Sequence, residues 1–410
     1  MNLTRRPGWA PVLLSYATFM LVGLNAGVGG VLIVSQMADY RVDEATIGIT
    51  FFTSSAGYML AGATAGALLH RVHVRMALLI GVGVYALGAV AMAVRPAFAI
   101  LVAVQLLVGY GTGILESILN VFLAELPNST TLLNRLHAFF GVGAFLGPLL
   151  AAWLLQYLEW TSVFLVLGVL CVPLATGFLL AYPRKAPAVE HADAPRPTGM
   201  LRDALRSPAV VLGSTFLAVY VGLEIGVGTW AFTFLVQEHG EPSVVAGYTV
   251  SGYWLGLTLG RFLISPLATR IGMSAAAMAT ACLVGVTAGA AVLWAAPTAA
   301  LATAAFVLLG FFLGPLFPTA MAVTPQLVPP RLMATAIGVM NGTSLLGGAG
   351  LPWLAGWLAQ HVGIWTLMPF ALVLSVVQLG VWRLMVTRGG AGPDRVATPE
   401  PAAPGRQGLS

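Results

Sequence analysis

Charged side chains are scarce in this sequence, and that scarcity decides its class. Only 8% of its 410 residues are charged, whereas 58% are hydrophobic, and the mean hydropathy is +0.90. Because a soluble domain carries about 25% charged residues, the composition excludes an ordinary water-soluble fold. It predicts an all-α polytopic membrane protein.

Cysteines are rare, and familiar catalytic motifs are missing. Cys171 and Cys282 have neither a CxxC partner nor a histidine neighbour, so we interpret both as small core residues. No HExxH or GxSxG sequence occurs, so neither motif supports an intramembrane enzyme. His70 and His73 have no third metal ligand nearby in the sequence. We therefore expect no enzymatic activity, no cofactor and no bound metal.

Apolar stretches long enough to cross a bilayer recur along the whole chain. A membrane-spanning helix needs about 20 residues, and the first stretch is too long and too glycine-rich for a cleaved signal peptide. Prolines inside the stretches, such as Pro315 and Pro318, should kink their helices and free backbone groups that need partners. We predict twelve transmembrane helices at residues 11–37, 45–69, 76–95, 98–124, 132–158, 161–182, 209–237, 244–269, 273–296, 299–324, 332–359 and 363–386.

Basic residues accumulate on one side of the predicted helices. If the N-terminus lies in the cytoplasm, all 19 basic residues except Arg41, Arg95 and Arg261 fall in cytoplasmic segments. The positive-inside rule then places both termini in the cytoplasm. We expect a monomeric, multi-pass protein of the cell inner (plasma) membrane. Because the basic residues follow topology, we expect no nucleic-acid partner.

Two segments recur at similar offsets on either side of a polar insert. VGLNAGVG at 22–29 returns as VGLEIGVG at 221–228, and PLLAAWLLQ at 148–156 returns as PWLAGWLAQ at 352–360. Such duplication is common in transporter folds. The insert contains LRDALRS, which fits either a short amphipathic helix at the membrane surface or a solvated segment. We predict an N-terminal six-helix half at 1–182, a cytoplasmic linker at 183–208, a C-terminal six-helix half at 209–387 and a disordered cytoplasmic tail at 388–410.

Glu116 is an acid inside an otherwise apolar predicted helix. A carboxylate at the centre of a membrane span costs about 3 kcal/mol or more, so its presence there indicates a structural or functional role. Residues three and four apart share a helix face, and the face around this acid carries Gly109, Gly113, Glu116 and Asn120. The next predicted helix repeats the design with Asn134, His137, Gly141, Ala144 and Pro148. Two such polar faces, if they meet, indicate a cavity. We also expect the two six-helix halves to face each other across a central cavity lined by predicted helices 1, 4, 5, 7, 8, 10 and 11.

Several motifs resemble those of a known transporter family. They are GTGILESILN at 111–120, LNRLHAFFGVGA at 133–144, YVGLE at 220–224, YWLGLTLGRF at 253–262 and LFPTAMAV at 316–323. Through them the whole chain resembles the major facilitator superfamily, and within it the fucose–galactose–glucose:proton symporter group. The resemblance implies a fold of two pseudo-symmetric six-helix halves and proton-driven transport of a sugar.

The chain departs from this family in two places. The family's cytoplasmic loop signature takes the form GALLHRVHVR at 66–75, where His70 replaces the usual acid. The fucose permeases carry an acid in the first helix, whereas residues 22–34 contain none. A proton relay through that helix is therefore not expected. We assign the gating loop to Gly66, Arg71, Arg75 and Arg270.

Buried acids and polar side chains supply the site predictions. For proton coupling we predict Glu116 and Glu224, since burial favours uptake and release of a proton by a carboxyl group; a structural hydrogen bond is the alternative. Polar candidates could instead hold helices together, and aromatic ones could be packing residues. Arg261 should pair across helices or with backbone carbonyls, because no acid lies within one turn. The candidate solute ligands are Asn25, Asn120, Asn134, His137, Trp230, Tyr253, Trp254 and Asn341.

Together these features predict a secondary transporter of a small polar solute, with sugars favoured, that works by proton-coupled alternating access. Its partners are then the solute, protons and the lipid bilayer. A drug or metabolite efflux antiporter of the same fold is the alternative; it would have a broad aromatic cavity and depend little on Asn120 or His137. A non-transporting receptor explains two buried acids less economically.

Overall fold

The computed structural model of the chain describes residues 9–182, 200–323, 328–329 and 332–388, and these residues form helices and turns without a β-strand. The first part of the chain forms α1 (Trp9–Tyr40), α2 (Glu44–Ile47), α3 (Ile49–Arg71), α4 (Val74–Ala93), α5 (Phe98–Ala124), α6 (Ser129–Leu154) and α7 (Thr161–Ala181). The second part forms α8 (Met200–Arg206), α9 (Pro208–Gln237), α10 (Ser243–Arg270), α11 (Ala275–Trp294), α12 (Ala299–Leu313), α13 (Leu316–Val323), α14 (Met333–His361) and α15 (Leu367–Arg388).

The long helices fit the predicted number of membrane spans. Among the described residues, nine helical segments are long and apolar enough to cross a membrane. The helices α3, α10 and α14, with 23, 28 and 29 residues, are long enough but less apolar. These three carry contacts between the two halves. Part of their surface therefore faces protein instead of lipid, which accounts for their glycine, serine and threonine content.

The two halves repeat the same helix pairings. In the first half α1 packs on α6, α3 on α5, and α4 on α7; in the second, α9 packs on α14, α10 on α12, and α11 on α15. Each pair in one half occupies the same place in chain order as its counterpart in the other. The all-α fold of two pseudo-symmetric halves, predicted from the sequence, is therefore confirmed.

Glycine allows the closest of these helix contacts. A Cβ atom at Gly109 of α5 would overlap the main-chain carbonyl of Ser54 on α3, and one at Gly23 of α1 would overlap the carbonyl of Phe140 on α6. Helix association in lipid depends on such close packing, because apolar side chains gain little by leaving lipid. The glycines at four-residue spacing thus set how near the helices approach.

A proline pair divides the predicted span at 299–324 into two helices. Helix α12 ends at Leu313 and α13 begins at Leu316, with Pro315 between them. An α-helical carbonyl normally accepts from the N–H four residues later, but for Gly314 that residue is Pro318, which has no N–H. The expected kink is confirmed, and the carbonyl of Gly314 is free to accept from elsewhere.

Only part of the predicted linker and tail can be assessed. Residues 200–206 form α8, so the LRDALRS segment is helical as one alternative predicted, while its place at the membrane surface stays a prediction. Leu201 and Leu205 are more than half exposed, while Ala204 is fully buried. The remaining linker residues, 183–199, and the tail residues 389–410 lie outside the described part of the chain.

The halves are fastened to each other at one end of the bundle, which we call the joined end and which carries residues 41–48, 94–97, 155–160, 238–242 and 361–363. There, Gln360 Nε2 donates to Asp43 Oδ2 at 2.7 Å, and Trp353 Nε1 donates to the Ala45 carbonyl at 3.1 Å. Phe51 and Phe52 of α3 contact Trp230 and Trp353 edge-on. Among the described residues, the hydrogen bonds and ring contacts between the halves all lie at this end.

Candidate solute and proton sites

Glu116 of α5 reaches α3 with its carboxylate. The hydroxyl of Tyr58 donates to Glu116 Oε2 at 2.7 Å. In the part of the chain that the structure describes, no basic side chain forms an ion pair with Glu116. A carboxyl group held by a neutral hydroxyl can exchange a proton without breaking an ion pair, but the same bond also joins two helices. Proton coupling by Glu116 therefore stays a prediction that this geometry permits.

The small and polar face of α5 packs on α3 and not on α6. A Cβ at Gly113 would lie 2.7 Å from the Cβ of Ala61. The corresponding face of α6 packs on α1 and α10: Ala144 and Pro148 contact Gly27 of α1, and Gly141 contacts the side chain of Thr258 on α10 in the other half. The expectation that the two polar faces meet across a cavity is wrong. Helical spacing fixes which residues share a face, whereas tertiary packing decides which neighbour the face meets.

Glu224 is held in an ion pair within the second half. Arg261 Nη2 of α10 lies 2.9 Å from Glu224 Oε1 of α9, and the side chains are 29% and 13% exposed. The hydroxyl of Tyr253 donates to the main-chain carbonyl of Glu224 at 2.9 Å. The hydroxyl of Tyr220 lies beside the pair and has no hydrogen bond of ordinary geometry within the described residues. Glu224 is thus compensated by charge, unlike Glu116.

Arg261 also contacts the kink in the tenth predicted span. Its Nε donates to the carbonyl of Gly314 at 3.2 Å, the same carbonyl that Pro318 leaves without a helical partner. The guanidinium therefore bridges α9, α10 and the α12–α13 break. Both expected kinds of partner for Arg261, an acid on another helix and a backbone carbonyl, are confirmed.

A cavity of about 190 Å³ lies inside the first half, next to the joined end. It is bordered by α1, α3, α5 and α7, and by Thr229 of α9 in the second half. Of the helices predicted to line the central cavity, the first, fourth and seventh contribute here as α1, α5 and α9. None of the described side chains that line this cavity is charged. Its hydrogen-bonding side chains are Asn25, Gln36, Thr50, Ser54, Gln105 and Thr229.

Several of these groups have no hydrogen-bond partner among the described residues. Among the described residues, Thr50 donates to the carbonyl of Ile47 at 2.6 Å, and Asn25 Oδ1 accepts from the Tyr85 hydroxyl at 3.1 Å. The Asn25 amide nitrogen forms no such bond, nor do the side chains of Gln36 and Gln105. Since polar groups in proteins are normally hydrogen-bonded, these groups are available to water or to a polar solute.

Asn25 is the one predicted ligand that borders this cavity. Trp230 and Tyr253 are 1% and 0% exposed, and Trp230 Nε1 donates to the Pro352 carbonyl at 2.8 Å. The ring of Trp254 packs against Gly228, and its Nε1 has no partner among the described residues. In this conformation all three rings are enclosed by protein. Their contact with a solute stays a prediction.

The remaining predicted ligands lie on three helices. Asn120 Nδ2 donates to the Glu116 carbonyl at 2.8 Å, one turn earlier in α5. Asn134 and His137 are exposed on α6, and the His137 ring contacts Phe19 edge-on. Asn341 is exposed on α14. The structure therefore does not gather the predicted ligands into one site in this conformation.

The predicted gating-loop residues lie at the end opposite the joined end. Gly66 has open space around its Cα, Arg71 and Arg270 are exposed, and Arg75 is half-buried. In the described part of the chain, none of these three arginines forms an ion pair. A latch at this loop stays a prediction.

Sequence reasoning missed Gln36, Ser54, Gln105 and Thr229. A signal was present for Gln105, which interrupts the apolar run ILVAVQLLVG at 100–109. A buried amide attracts less notice than a carboxylate because it carries no charge. Serine and threonine occur throughout these helices, so Ser54 and Thr229 stand out only by their position in the fold.

Similarity to known proteins agrees with this architecture. The chain is 27% identical over 389 residues to "Bypass of stop codon protein 6" of Saccharomyces cerevisiae, covering 84% of this chain and 76% of the relative. It is 20% identical over 290 residues to the glucose/mannose transporter GlcP of Bacillus subtilis, covering 68% and 71%.

The fold also matches solved transporter structures. A crystal structure of a nucleoside transporter NupG variant superposes with a TM-score of 0.75 at 16% identity, over 92% of this chain and 99% of that one. The sequence profile of the Major Facilitator Superfamily matches residues 14–352 and again 244–407. The resemblance drawn from the motifs is therefore confirmed, and the chain belongs to the Major Facilitator Superfamily.

Proposed function

We propose that this protein is a secondary transporter that moves a small polar solute across the membrane by proton-coupled alternating access, with sugars as the favoured solutes. The observation that carries the proposal is the uncharged, hydrogen-bonding cavity beside the joined end. Among the described residues, several of its amide and hydroxyl groups have no hydrogen-bond partner, and the hydrogen bonds between the two halves lie at the joined end. Hydroxyl-rich solutes supply both donors and acceptors for such groups.

The proposed orientation in the membrane assigns the joined end to one side of the bilayer. The proposal places the protein in the cell inner (plasma) membrane with both termini in the cytoplasm. The joined end is then extracellular. This conformation is then fastened on the outer side, and the opposite end faces the cytoplasm. Labelling of a cysteine introduced at position 195, in the linker proposed at 183–208, tests this orientation; reaction from the outside alone would reverse it.

For proton coupling we propose Glu116 and Glu224, one in each half. Glu116 would gain and lose a proton as its access alternates, because its partner Tyr58 is neutral. Glu224 would titrate only with a change in its contact to Arg261. Relatedness to a glucose/mannose transporter supports sugars as the solute class. The arrangement needs no covalent step, so the proposal includes no enzymatic activity.

The test is counterflow in proteoliposomes. Purified protein is reconstituted, loaded with one unlabelled solute from a panel of hexoses, pentoses and polyols, and diluted into the labelled solute. We expect saturable exchange of at least one neutral sugar, and its accumulation when an inward proton gradient is imposed. Exchange of large apolar cations with no exchange of sugars would favour the efflux antiporter instead. Exchange that does not respond to the gradient would support a transporter but contradict its coupling to protons.

A further inference from the structure

We propose that the cavity bordered by Asn25, Gln36, Ser54, Gln105 and Thr229 is a binding site for an uncharged, polyhydroxylated solute, and that it rejects carboxylates. This inference rests on the proposed function, because it names the solute class that the transporter would carry. Gln36 and Gln105 lie outside the motifs at 111–120, 133–144, 220–224, 253–262 and 316–323, and it is the geometry of the cavity that points to them as ligands.

Gln36 is the first piece of evidence. Its side chain is 5% exposed and lies in the wall of the cavity. Among the described residues its amide has no hydrogen-bond partner, yet it is not among the amide groups sealed off inside the protein. A primary amide offers two donors and an acceptor. An amide that is almost completely buried, lacks a partner and faces a cavity is available to a ligand there.

Groups on the other bordering helices also face the cavity and lack a hydrogen-bond partner among the described residues. Gln105 of α5, the hydroxyl of Ser54 on α3 and the hydroxyl of Thr229 on α9 all line the cavity, and no described residue hydrogen-bonds with their side chains. The Asn25 amide nitrogen is the fifth such group, since only its oxygen is engaged, by Tyr85. The five groups come from four helices, so they approach the cavity from several directions. A rigid ring bearing hydroxyl groups on several carbons suits that distribution.

The walls between these groups are apolar. Leu32, Phe51 and Phe164 border the same cavity. A sugar or cyclic polyol presents hydroxyl groups at its rim and C–H groups on its faces, and both kinds of surface find a counterpart here. Pockets of this kind, largely apolar with a few well-placed polar groups, are typical of small-molecule sites.

The lack of a cation among the described lining residues would make the cavity unfavourable for a carboxylate. No described lining residue is basic, so an anionic solute would lose its hydration without gaining a cation. Arg261 is occupied by Glu224 and the Gly314 carbonyl. Arg95, at the joined end, is paired with Asp39 and Glu159. The cavity therefore discriminates by charge as well as by hydrogen bonding.

The two halves share this site. Thr229 is the contribution of the second half, and it lies where a Cβ on Gly30 of α1 would contact the main chain of Gly228 and Thr229. Separation of the halves at the joined end would remove Thr229 from the cavity. A solute bound there interacts better with the joined conformation and so shifts the population toward it.

The inference is tested by equilibrium binding to the purified full-length protein in lipid nanodiscs. Radiolabelled D-glucose, D-xylose and sorbitol serve as neutral probes, and benzoate serves as the carboxylate competitor. The variants are Gln105→Leu and Gln36→Leu, which keep the side-chain volume nearly unchanged and remove the amide. Gln156→Leu is the matched control, because Gln156 is exposed and lies outside this cavity.

We expect at least one neutral probe to bind. Its affinity should fall roughly tenfold or more in Gln105→Leu and in Gln36→Leu, as for loss of hydrogen bonds in a desolvated site, and stay unchanged in Gln156→Leu. Benzoate should not compete. Thermal unfolding of each variant identifies a folding defect; if Gln36→Leu does not fold, the half-buried Gln105 decides the outcome.

Three results would overturn the assignment: no binding of any neutral probe, wild-type affinity in Gln105→Leu, or competition by benzoate. Counterflow separates this failure from failure of the proposed function. Exchange of benzoate without exchange of neutral solutes would support a transporter but contradict the proposed binding site. If a neutral probe binds, binding is lost in Gln105→Leu, and no exchange occurs in proteoliposomes, the binding site is supported and the proposed transport function is not.

Discussion

The side-chain amide of Gln360 bridges the two halves, because its Nε2 donates to the Asp43 carboxylate at 2.7 Å while its Oε1 accepts from the Ala45 N–H at 3.2 Å. Asp43 also accepts from the Thr46 N–H at 2.8 Å and so caps the one-turn helix α2. One contact therefore orders the α1–α3 connection and fastens it to α14.

We expect Gln360→Leu to weaken the joined end. The lost hydrogen bonds are partly exposed, so the closed state should lose about 1 kcal/mol, roughly a fivefold change in its population ratio. Spin labels on Arg41→Cys and Val362→Cys would report longer distances by pulsed electron resonance. Gln237→Leu, an exposed glutamine at the end of α9, is the control. Unchanged distances in Gln360→Leu would show that the aromatic contacts suffice.

The same contact should respond to acid, but not near neutral pH. Hydrogen bonds from Thr46, with a further one from Gln360, lower the pKa of the Asp43 carboxyl below its ordinary value of about 3.9. The joined state thus favours the ionised form. Its contribution is complete above about pH 4 and is lost as the pH falls through the lowered pKa. Label distances should therefore stay constant from pH 7 to pH 5. Opening centred near pH 6, or an identical acid response in Asp43→Asn, would contradict this.

Replacing Glu116 by glutamine should separate exchange from accumulation. Glutamine has nearly the volume of the protonated acid and can keep the contact with Tyr58, so the variant should exchange solute in counterflow. It should fail to accumulate solute under a proton gradient, because the titratable group is gone. Glu125→Gln, an exposed acid just beyond α5, should behave as wild type. Normal accumulation by Glu116→Gln would move the coupling role to Glu224, and loss of exchange would make Glu116 a direct solute ligand.

Removing Arg261 should destabilise the protein through Glu224. Loss of one partner of a buried ion pair costs about 3–5 kcal/mol, and the lower figure is appropriate because the Arg261 side chain is 29% exposed. Arg261→Leu should lower the unfolding temperature markedly, and Glu224→Gln in the same chain should restore part of the loss. Arg270→Leu, at the exposed end of the same helix, should have little effect. Absence of any rescue would mean that the Gly314 contact dominates.

His137→Ala should impair solute binding more than folding. The side chain is exposed, touches the edge of Phe19 and lies within electrostatic range of Arg261, so little packing is lost. Loss of one hydrogen bond to a solute would weaken binding about three- to tenfold. His239→Ala, which removes a similar edge contact with Phe234, is the matched control. A parallel fall in expression and binding in His137→Ala would mark the residue as structural.

The helices could be predicted from the sequence because their signal is local. An apolar stretch at 98–124 coincides with α5, Phe98–Ala124, and the prolines near 315 located the break in the tenth span. The membrane requires long, internally hydrogen-bonded helices, so length and composition suffice. Weaker apolar character in α3, α10 and α14 did not conceal them, since each still exceeds the length of a span.

The site could be predicted only in part, because its geometry is tertiary. Glu116 and Glu224 were identified by the cost of burying a carboxylate. That Tyr58 holds one and Arg261 the other depends on how α3 packs on α5 and α10 on α9, which no spacing rule contains. Gln36 and Gln105 escaped notice because an amide in an apolar run is compatible with many environments. The sequence does not contain the information about which neighbouring helix or cavity each helix face meets.

The kink at Pro318 gives Arg261 a second anchor that is independent of pH. A main-chain carbonyl has no titratable proton, so the bond between Arg261 and Gly314 persists whatever the charge on Glu224. If Glu224 took up a proton, its ion pair with Arg261 would be weakened, whereas the bond from the guanidinium to Gly314 and the bond from the Tyr253 hydroxyl of α10 to the Glu224 carbonyl of α9 would both stay. A proline that removes one backbone donor would thereby limit the effect of proton uptake to a single charge contact between α9 and α10, with the positive charge left in place.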